Sequence, residues 1–236
     1  MSYFSLARRV PEVSAVDPAI LTWFYALLAH APLVRTAHRR MVAGALAQGV
    51  TIGDGLDLGT GPGYVAVQIA RQRSGLRMVG LDLAAHMLAK AVRLASRAGL
   101  DGRGLWPQAD GHDLPFADGT FDLVVSSFAL HHWDDPLLVL DEIARVLKPE
   151  GRYYIADVCR EVNLFQRLFA YASVPVASLP FGSYLGYGGY YESVRAGYTQ
   201  DEARDLLARS ALPPGRVGVD STWFVPILTI AARRSE

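Results

Sequence analysis

From Gly55 onward the chain alternates short, unbroken apolar runs with stretches whose apolar residues recur at helical spacing. The pattern predicts a strand over 55–58, a helix over 63–73, a strand over 76–81, a helix over 84–98 and a strand over 104–109. It continues with a strand over 121–128, a helix over 136–147 and a strand over 152–159. Strands that are apolar along both faces must be covered on both, and the intervening helices are the crossovers of a parallel sheet. The fold class predicted is therefore α/β, with a doubly wound, mostly parallel sheet.

Two helices are expected before the first strand. Asp17-Pro18 supplies a cap and a first-turn proline, followed by Trp23, Phe24, Leu27 and Leu28; Pro32 opens a second helix that runs to about Gln48 and stops at Gly49. After Cys159 the rhythm breaks. A helix over 163–172 leads into a Gly-, Pro- and Tyr-rich segment, PVASLPFGSYLGYGGYYESV, which reads as a long loop. Thr199, with Glu202 three residues on, forms a capping box for a helix that ends near Leu212. Strands over 216–220 and 223–231 lie too close together for a parallel crossover and should pair antiparallel, bringing the sheet to seven strands. One domain is expected over 1–236: a helical cap (1–50), a core (51–160), a helix with a Tyr/Gly-rich segment (161–198), and a last helix with a strand pair (199–236).

Composition narrows the partners. Lys plus Arg and Asp plus Glu each number 23, so no net field draws the chain to nucleic acid or a charged membrane. The only cysteine, Cys159, lies in an apolar strand and has no internal disulfide partner, which suits a reduced compartment. MSYFSLARRVPEV lacks the apolar core of a secretory signal, and the longest apolar stretch, 19–34, is short and contains His30 and Pro32. A cytoplasmic location without stable membrane insertion is expected. Half the residues are hydrophobic, which fits an apolar pocket or a subunit interface, so monomer and homodimer both stand.

The sharpest feature is Leu56-Asp57-Leu58-Gly59-Thr60-Gly61-Pro62-Gly63, set where a strand turns into a helix. Such a turn uses glycines for positive φ and for close backbone approach to a ligand at the helix N-terminus. The glycines fall as G-x-G-x-G, with Tyr64 next, and not as the dinucleotide spacing G-x-G-x-x-G. A carboxylate immediately before them, Asp57, suits a cationic amine better than a pyrophosphate. Asp82, at the end of the second strand, has the place of a ribose-binding acid, and Asp110 closes the third strand in Ala109-Asp110-Gly111. All three acids fall at the carboxyl ends of successive predicted strands, the edge at which open α/β sheets bind ligands.

LDLGTGPG, GLDLAAHM, QADGHDLPFADGTFDLVVSSFALHHW and DEIARVLKPEGRYYIADV together resemble the Rossmann-like class I S-adenosylmethionine-dependent methyltransferases. They most resemble the subgroup with the ubiquinone and menaquinone biosynthesis C-methyltransferases, over roughly residues 55–160. The resemblance implies S-adenosylmethionine as cofactor, with Gly59, Thr60, Gly61 and Gly63 at its methionine moiety and Asp57 shaping the amino-group site. It further implies Asp82 on the ribose hydroxyls, Leu83 and Met87 flanking adenine, Asp110, Gly111 and His112 at the adenine amine, and Ser127 lining the methionine site.

Methyl transfer from a sulfonium needs alignment and exclusion of water, and a base is optional. His131 and His132 follow the fourth strand and are the candidate catalytic groups. Asp134, Asp135 and Asp157 lie where some catechol methyltransferases bind magnesium, but Val158 replaces an oxygen ligand and Asp135-Pro136 reads as a helix cap; no metal is expected. Trp23 on the first helix and Tyr184, Tyr187 and Tyr190 on the Gly-rich segment are the candidate wall for a small, apolar or aromatic acceptor; a surface loop packed on the domain is the alternative. Two rival functions are an NAD-dependent oxidoreductase and a non-catalytic S-adenosylmethionine-binding regulator. A nucleic-acid methyltransferase is disfavoured because no basic patch and no N/D-P-P-aromatic motif is present.

Overall fold

The computed structural model describes residues 4–5, 32–102, 104–177, 190–221 and 225–232. Its elements in chain order begin with β1 (Phe4–Ser5), α1 (Pro32–Leu46), β2 (Ile52–Leu58), α2 (Tyr64–Gln72), β3 (Gly75–Leu81), α3 (Ala85–Arg97) and β4 (Gly104–Leu105). Then come β5 (Phe121–Ser127), a 3-10 turn (Leu130–His132), α4 (Pro136–Val146), β6 (Leu147–Val158) and β7 (Glu161–Val162). Helices α5 (Leu164–Ala177), α6 (Tyr190–Ala196) and α7 (Gln200–Arg209) and strands β8 (Gly215–Ser221) and β9 (Pro226–Ala232) complete it.

Seven strands form one sheet in the order β4-β3-β2-β5-β6-β9-β8. The first five run parallel, β9 is antiparallel to β6, and β8 is antiparallel to β9. The doubly wound sheet and its reversed C-terminal hairpin agree with the sequence expectation. Strand residues alternate between two cores: Leu56, Leu58, Val79, Leu81, Val124, Tyr153 and Ile155 face α4 and α7. Leu76, Met78, Leu123, Val125, Tyr154 and Ala156 face α1, α2 and the end of α3. This alternation is the period-two consequence of a pleated strand buried on both sides.

Several boundaries differ from expectation. The strand expected over 104–109 is only two residues long, because Pro107 has no N–H to continue the ladder; pairing resumes as a single bridge between Asp82 and Gln108. Strand β6 begins at Leu147 instead of 152, with a register shift between the Phe121 and Leu123 pairs that accommodates Lys148-Pro149-Glu150-Gly151. The segment expected to be a loop carries helix at both ends: α5 continues to Ala177, and α6 forms where Glu192 and Arg195 pair one turn apart and Val194 is buried. Phe4–Ser5 pairs antiparallel with β7, a contact no local pattern announces. The expected first helix, with Trp23, and the tyrosines Tyr184 and Tyr187 lie outside the described residues, as does the Tyr190 side chain. Among the described residues no helix is long and apolar enough to cross a membrane.

Candidate functional site

The chain builds β2, β3 and β4 outward in one direction and then returns to place β5 on the other side of β2. Neighbouring strands whose connections leave in opposite directions open a crevice at their carboxyl ends. Here the crevice lies between β2, which delivers Asp57 and the glycines, and β5, which delivers Ser127 and the histidine turn.

The glycine loop is held by its own backbone. Gly59 and Thr60 amides both donate to the Leu81 carbonyl at 2.9 Å, and the Gly63 amide donates to the Thr60 carbonyl. Gly59, Gly61 and Gly63 have φ of 70°, 53° and 80°, a region that L side chains occupy at a cost. At Gly59 a side chain is also excluded by space, since its Cβ would lie 2.7 Å from the Ala129 Cβ on the opposite lip.

Asp57 is fully buried beneath this loop. Its Oδ2 accepts from the Thr60 hydroxyl (2.8 Å) and the Ala66 amide (3.1 Å), while its Oδ1 is buried with no hydrogen-bond partner. Burial pushes its pKa up to about 7 against the lowering effect of those two hydrogen bonds, and the Asp82 charge adds to the rise. An unsatisfied buried acceptor costs roughly 1–3 kcal/mol, so the orphan oxygen is suited to a donor, best a cation. This fits the α-ammonium group of S-adenosylmethionine and opposes a pyrophosphate.

Asp82 spans the next turn: Oδ2 accepts from the Gly61 amide (2.8 Å) and Oδ1 from the Ala84 amide (2.9 Å). Each carboxylate oxygen keeps further lone pairs, so a diol can still be bound. Leu83 is exposed and Met87 half-buried on the adjoining turn and helix. Gln108, which sequence reasoning passed over, donates from Nε2 to the Leu83 carbonyl and ties the end of β4 to that of β3.

His112 is engaged at both ring nitrogens. Nδ1 bonds Asp110 Oδ1 at 2.6 Å and Nε2 accepts from the Asp135 amide at 3.2 Å, so Nδ1 carries the proton. The His112 amide and ring hold the Asp110 carboxyl below its ordinary range. Asp135 in turn caps α4 through the Leu138 amide, with Pro136 in the first turn, as expected. A Cβ added at Gly111 would meet the Leu58 side chain at 3.4 Å, an ordinary contact.

On the other lip the Ser126 hydroxyl donates to the Leu58 carbonyl (2.8 Å), locking the end of β5 to that of β2, and Ser127 is half-buried beside it. Phe128 follows with φ 53°, the only described non-glycine in the left-handed region, at a cost of about 1–2 kcal/mol. Such strain at the end of a switch-point strand points to a functional placement. The Phe128 ring meets His38 edge-on at 5.6 Å, and His38 also stacks on Tyr64 at 4.8 Å. This aromatic cluster gathers His38 of α1, Tyr64 at the start of α2 and Phe128 just past β5. No sequence pattern named it, because its members lie far apart along the chain.

His131 and His132 separate in environment. His131 is buried, its amide donates to Asp157 Oδ2 and its Nδ1 bonds Asp157 Oδ1, both at 2.6 Å. The Val158 amide also donates to Oδ1, at 2.7 Å. His132 is exposed, its ring tilted against that of His131 at 3.9 Å between centroids. Sequence reasoning weighed Asp157 only as a metal ligand and missed it as the partner of His131, since the two are joined by sheet register and not by spacing.

Residues 56–155 match the methyltransferase domain family. The demethylmenaquinone methyltransferase of Thermus thermophilus is 41% identical over 102 residues, which cover 43% of this chain and 46% of that one. The ubiquinone/menaquinone biosynthesis C-methyltransferase UbiE of Geotalea daltonii is 30% identical over 158 residues, covering 65% of this chain and 67% of that protein. The crystal structure of a SAM dependent methyltransferase from Aquifex aeolicus agrees with a TM-score of 0.58 at 21% identity, over 81% of this chain and 88% of that one, and carries the fold alone. The chain spans about half the length of the first curated relatives it matches. With the glycine loop, its acids and the reversed hairpin in place, the chain belongs to the class I S-adenosylmethionine-dependent methyltransferases, of the UbiE-like type.

Proposed function

We propose that the protein moves a methyl group from S-adenosylmethionine to a small, largely apolar or aromatic acceptor by in-line displacement. The observation that carries this reading is the buried, unpartnered Oδ1 of Asp57 under the glycine loop at the switch point. S-adenosylmethionine supplies a methyl group made electrophilic by its sulfonium. In this reading Asp57 takes the cofactor's ammonium and Asp82 its ribose hydroxyls, while Gly59, Thr60, Gly61 and Gly63 leave room for its methionine part. Asp110, oriented by His112, faces the adenine amine, with Gly111, Leu83 and Met87 beside the ring and Ser127 beside the methionine end.

On the acceptor side, His132 is the exposed ring and takes the proton from an acceptor hydroxyl or activated carbon. His131 becomes a positioning residue: Asp157 holds it through two hydrogen bonds, at its amide and at its Nδ1, and its ring backs that of His132. The aromatic cluster of His38, Tyr64 and Phe128 supports an apolar acceptor, as do the quinone-pathway names of the relatives. Trp23, Tyr184, Tyr187 and Tyr190 remain the proposed outer wall, within a single domain whose 161–198 segment closes over the acceptor.

The test is methyl transfer from labelled S-adenosylmethionine to a panel of quinols, phenols and amines, with cofactor binding followed by calorimetry. Binding of S-adenosylhomocysteine and turnover on a quinol or phenol are expected. Binding without turnover on any acceptor would favour the regulator, and tighter binding of NAD the oxidoreductase.

A further inference from the structure

His38 carries a polar atom that the fold leaves unused. It lies on α1, it is buried, and its Nδ1 has no hydrogen-bond partner. Two aromatic rings stand against it: Tyr64 at 4.8 Å between centroids with a 33° tilt, and Phe128 edge-on at 5.6 Å. Phenylalanine would fill such a place at lower cost, because a buried nitrogen gives up its bond to water and here regains none. Burial also lowers the His38 pKa to about 4, so the ring is neutral at physiological pH and too weak a base to take a proton from an acceptor. What it offers a ligand is one uncharged hydrogen bond.

The neighbours of His38 put it beside the crevice. Tyr64 opens α2 directly after Gly63 of the glycine loop, and Phe128 directly follows Ser127 at the end of β5. The two segments meet, since a Cβ at Gly59 would lie 2.7 Å from the Cβ of Ala129, the residue after Phe128. Phe128 holds the strained backbone, with φ 53°, and the turn that carries His132 starts two residues later. The charged groups of the donor do not suit the orphan nitrogen. Asp57 takes the ammonium in the proposed function, and a carboxylate would draw a proton onto the imidazole against the burial that keeps it neutral. One uncharged polar atom in an aromatic setting suits an aromatic ring that bears a hydroxyl.

We propose that His38 is a specificity-determining residue of the acceptor site, its Nδ1 accepting a hydrogen bond from the hydroxyl of an aromatic acceptor once the half-buried Phe128 ring moves aside. The proton of the imidazole then sits on Nε2. The hydroxyl is held and not deprotonated, which orients the acceptor ring before the methyl group moves. The inference rests on the acceptor class proposed above and adds to it the group that is read.

Calorimetry on the protein saturated with S-adenosylhomocysteine tests it with two rings of equal shape, p-cresol and p-xylene, which differ by a hydroxyl against a methyl. The wild type is expected to prefer p-cresol about tenfold. His38→Phe keeps the ring packing without the nitrogen, so it should lose that preference and unfold at a higher temperature; His38→Leu should lose the preference too. His38→Asn, whose carboxamide stands where Nδ1 does, should regain most of it. A wild type that binds neither ring, or a p-cresol preference that His38→Phe and His38→Leu both keep, overturns the proposal. So does a His38→Phe protein that loses S-adenosylhomocysteine affinity with its p-cresol preference intact, which would place the nitrogen on the donor. The measurement needs no turnover, so a protein that binds p-cresol through His38 yet methylates no acceptor upholds this inference and overturns the proposed function alone.

Discussion

The two lips of the crevice are built in different ways. The β2 and β3 lip is made mostly from residues near one another in sequence: Asp57 accepts from Thr60 and Ala66, and Asp82 from Gly61 and Ala84, all but one within nine residues of their partner. The β5 and β6 lip is made from distant ones, with Asp157 reaching His131 across 26 residues and His38 reaching Phe128 from another helix. The first lip leaves a buried carboxylate oxygen open; the second binds its buried carboxylate on both oxygens. An acid with an oxygen that no protein group engages can receive a cation, while one that is engaged on both oxygens can only hold its neighbours still. The first lip is thus suited to the donor and the second to aligning groups at the acceptor.

If that division is right, substitutions should separate cleanly, and the largest effect belongs to the second lip. His132→Ala is expected to lower turnover about a thousandfold while calorimetry finds S-adenosylhomocysteine affinity unchanged. A parallel loss of affinity would merge the two lips. Next in size, Asp57→Asn should weaken S-adenosylhomocysteine binding about a hundredfold, since it removes a charged hydrogen bond. Wild-type affinity for this variant would mean the orphan oxygen has no ligand.

Asp82→Ala should cost about tenfold in the same titration, because two hydroxyls lose one acceptor group that the loop amides also share. A similar size is expected from pH alone. The Asp57 pKa is raised to about 7, so its neutral form prevails below that value and its carboxylate above. Affinity for an ammonium ligand should therefore rise about tenfold between pH 6 and pH 8, and Asp57→Asn should flatten the profile. The sign for stability is opposite: a raised folded pKa means stability present near pH 4 is lost as pH climbs through 7, which thermal unfolding without ligand can follow. The smallest effect sharpens the comparison from the other side. With three N–H donors already on Asp157, EDTA should leave turnover unchanged, and loss restored by magnesium would reassign that carboxylate.

What the sequence determined by itself is the part written in local pattern. The alternation of apolar runs and amphipathic stretches specified the doubly wound sheet, because periods of two and of about 3.6 follow from backbone geometry within each element. The capping box at Thr199, the Asp135-Pro136 cap and the placing of Asp57 and Asp82 at the carboxyl ends of β2 and β3 were legible for the same reason, whereas Asp110 lies past the end of the shortened β4: each legible feature depends on neighbours a few residues away. Tertiary structure decided what depends on register between strands. It cut the third strand short at Pro107, turned the Tyr-rich segment helical at 190–196, and set β1 against β7. It paired His131 with Asp157 because β5 and β6 run side by side, gathered His38, Tyr64 and Phe128 from three elements, and turned the leucines of α5 outward. Spacing along the chain encodes which groups share a face of one element. Which faces then meet is settled only when the packed sheet brings distant segments within hydrogen-bond or van der Waals reach.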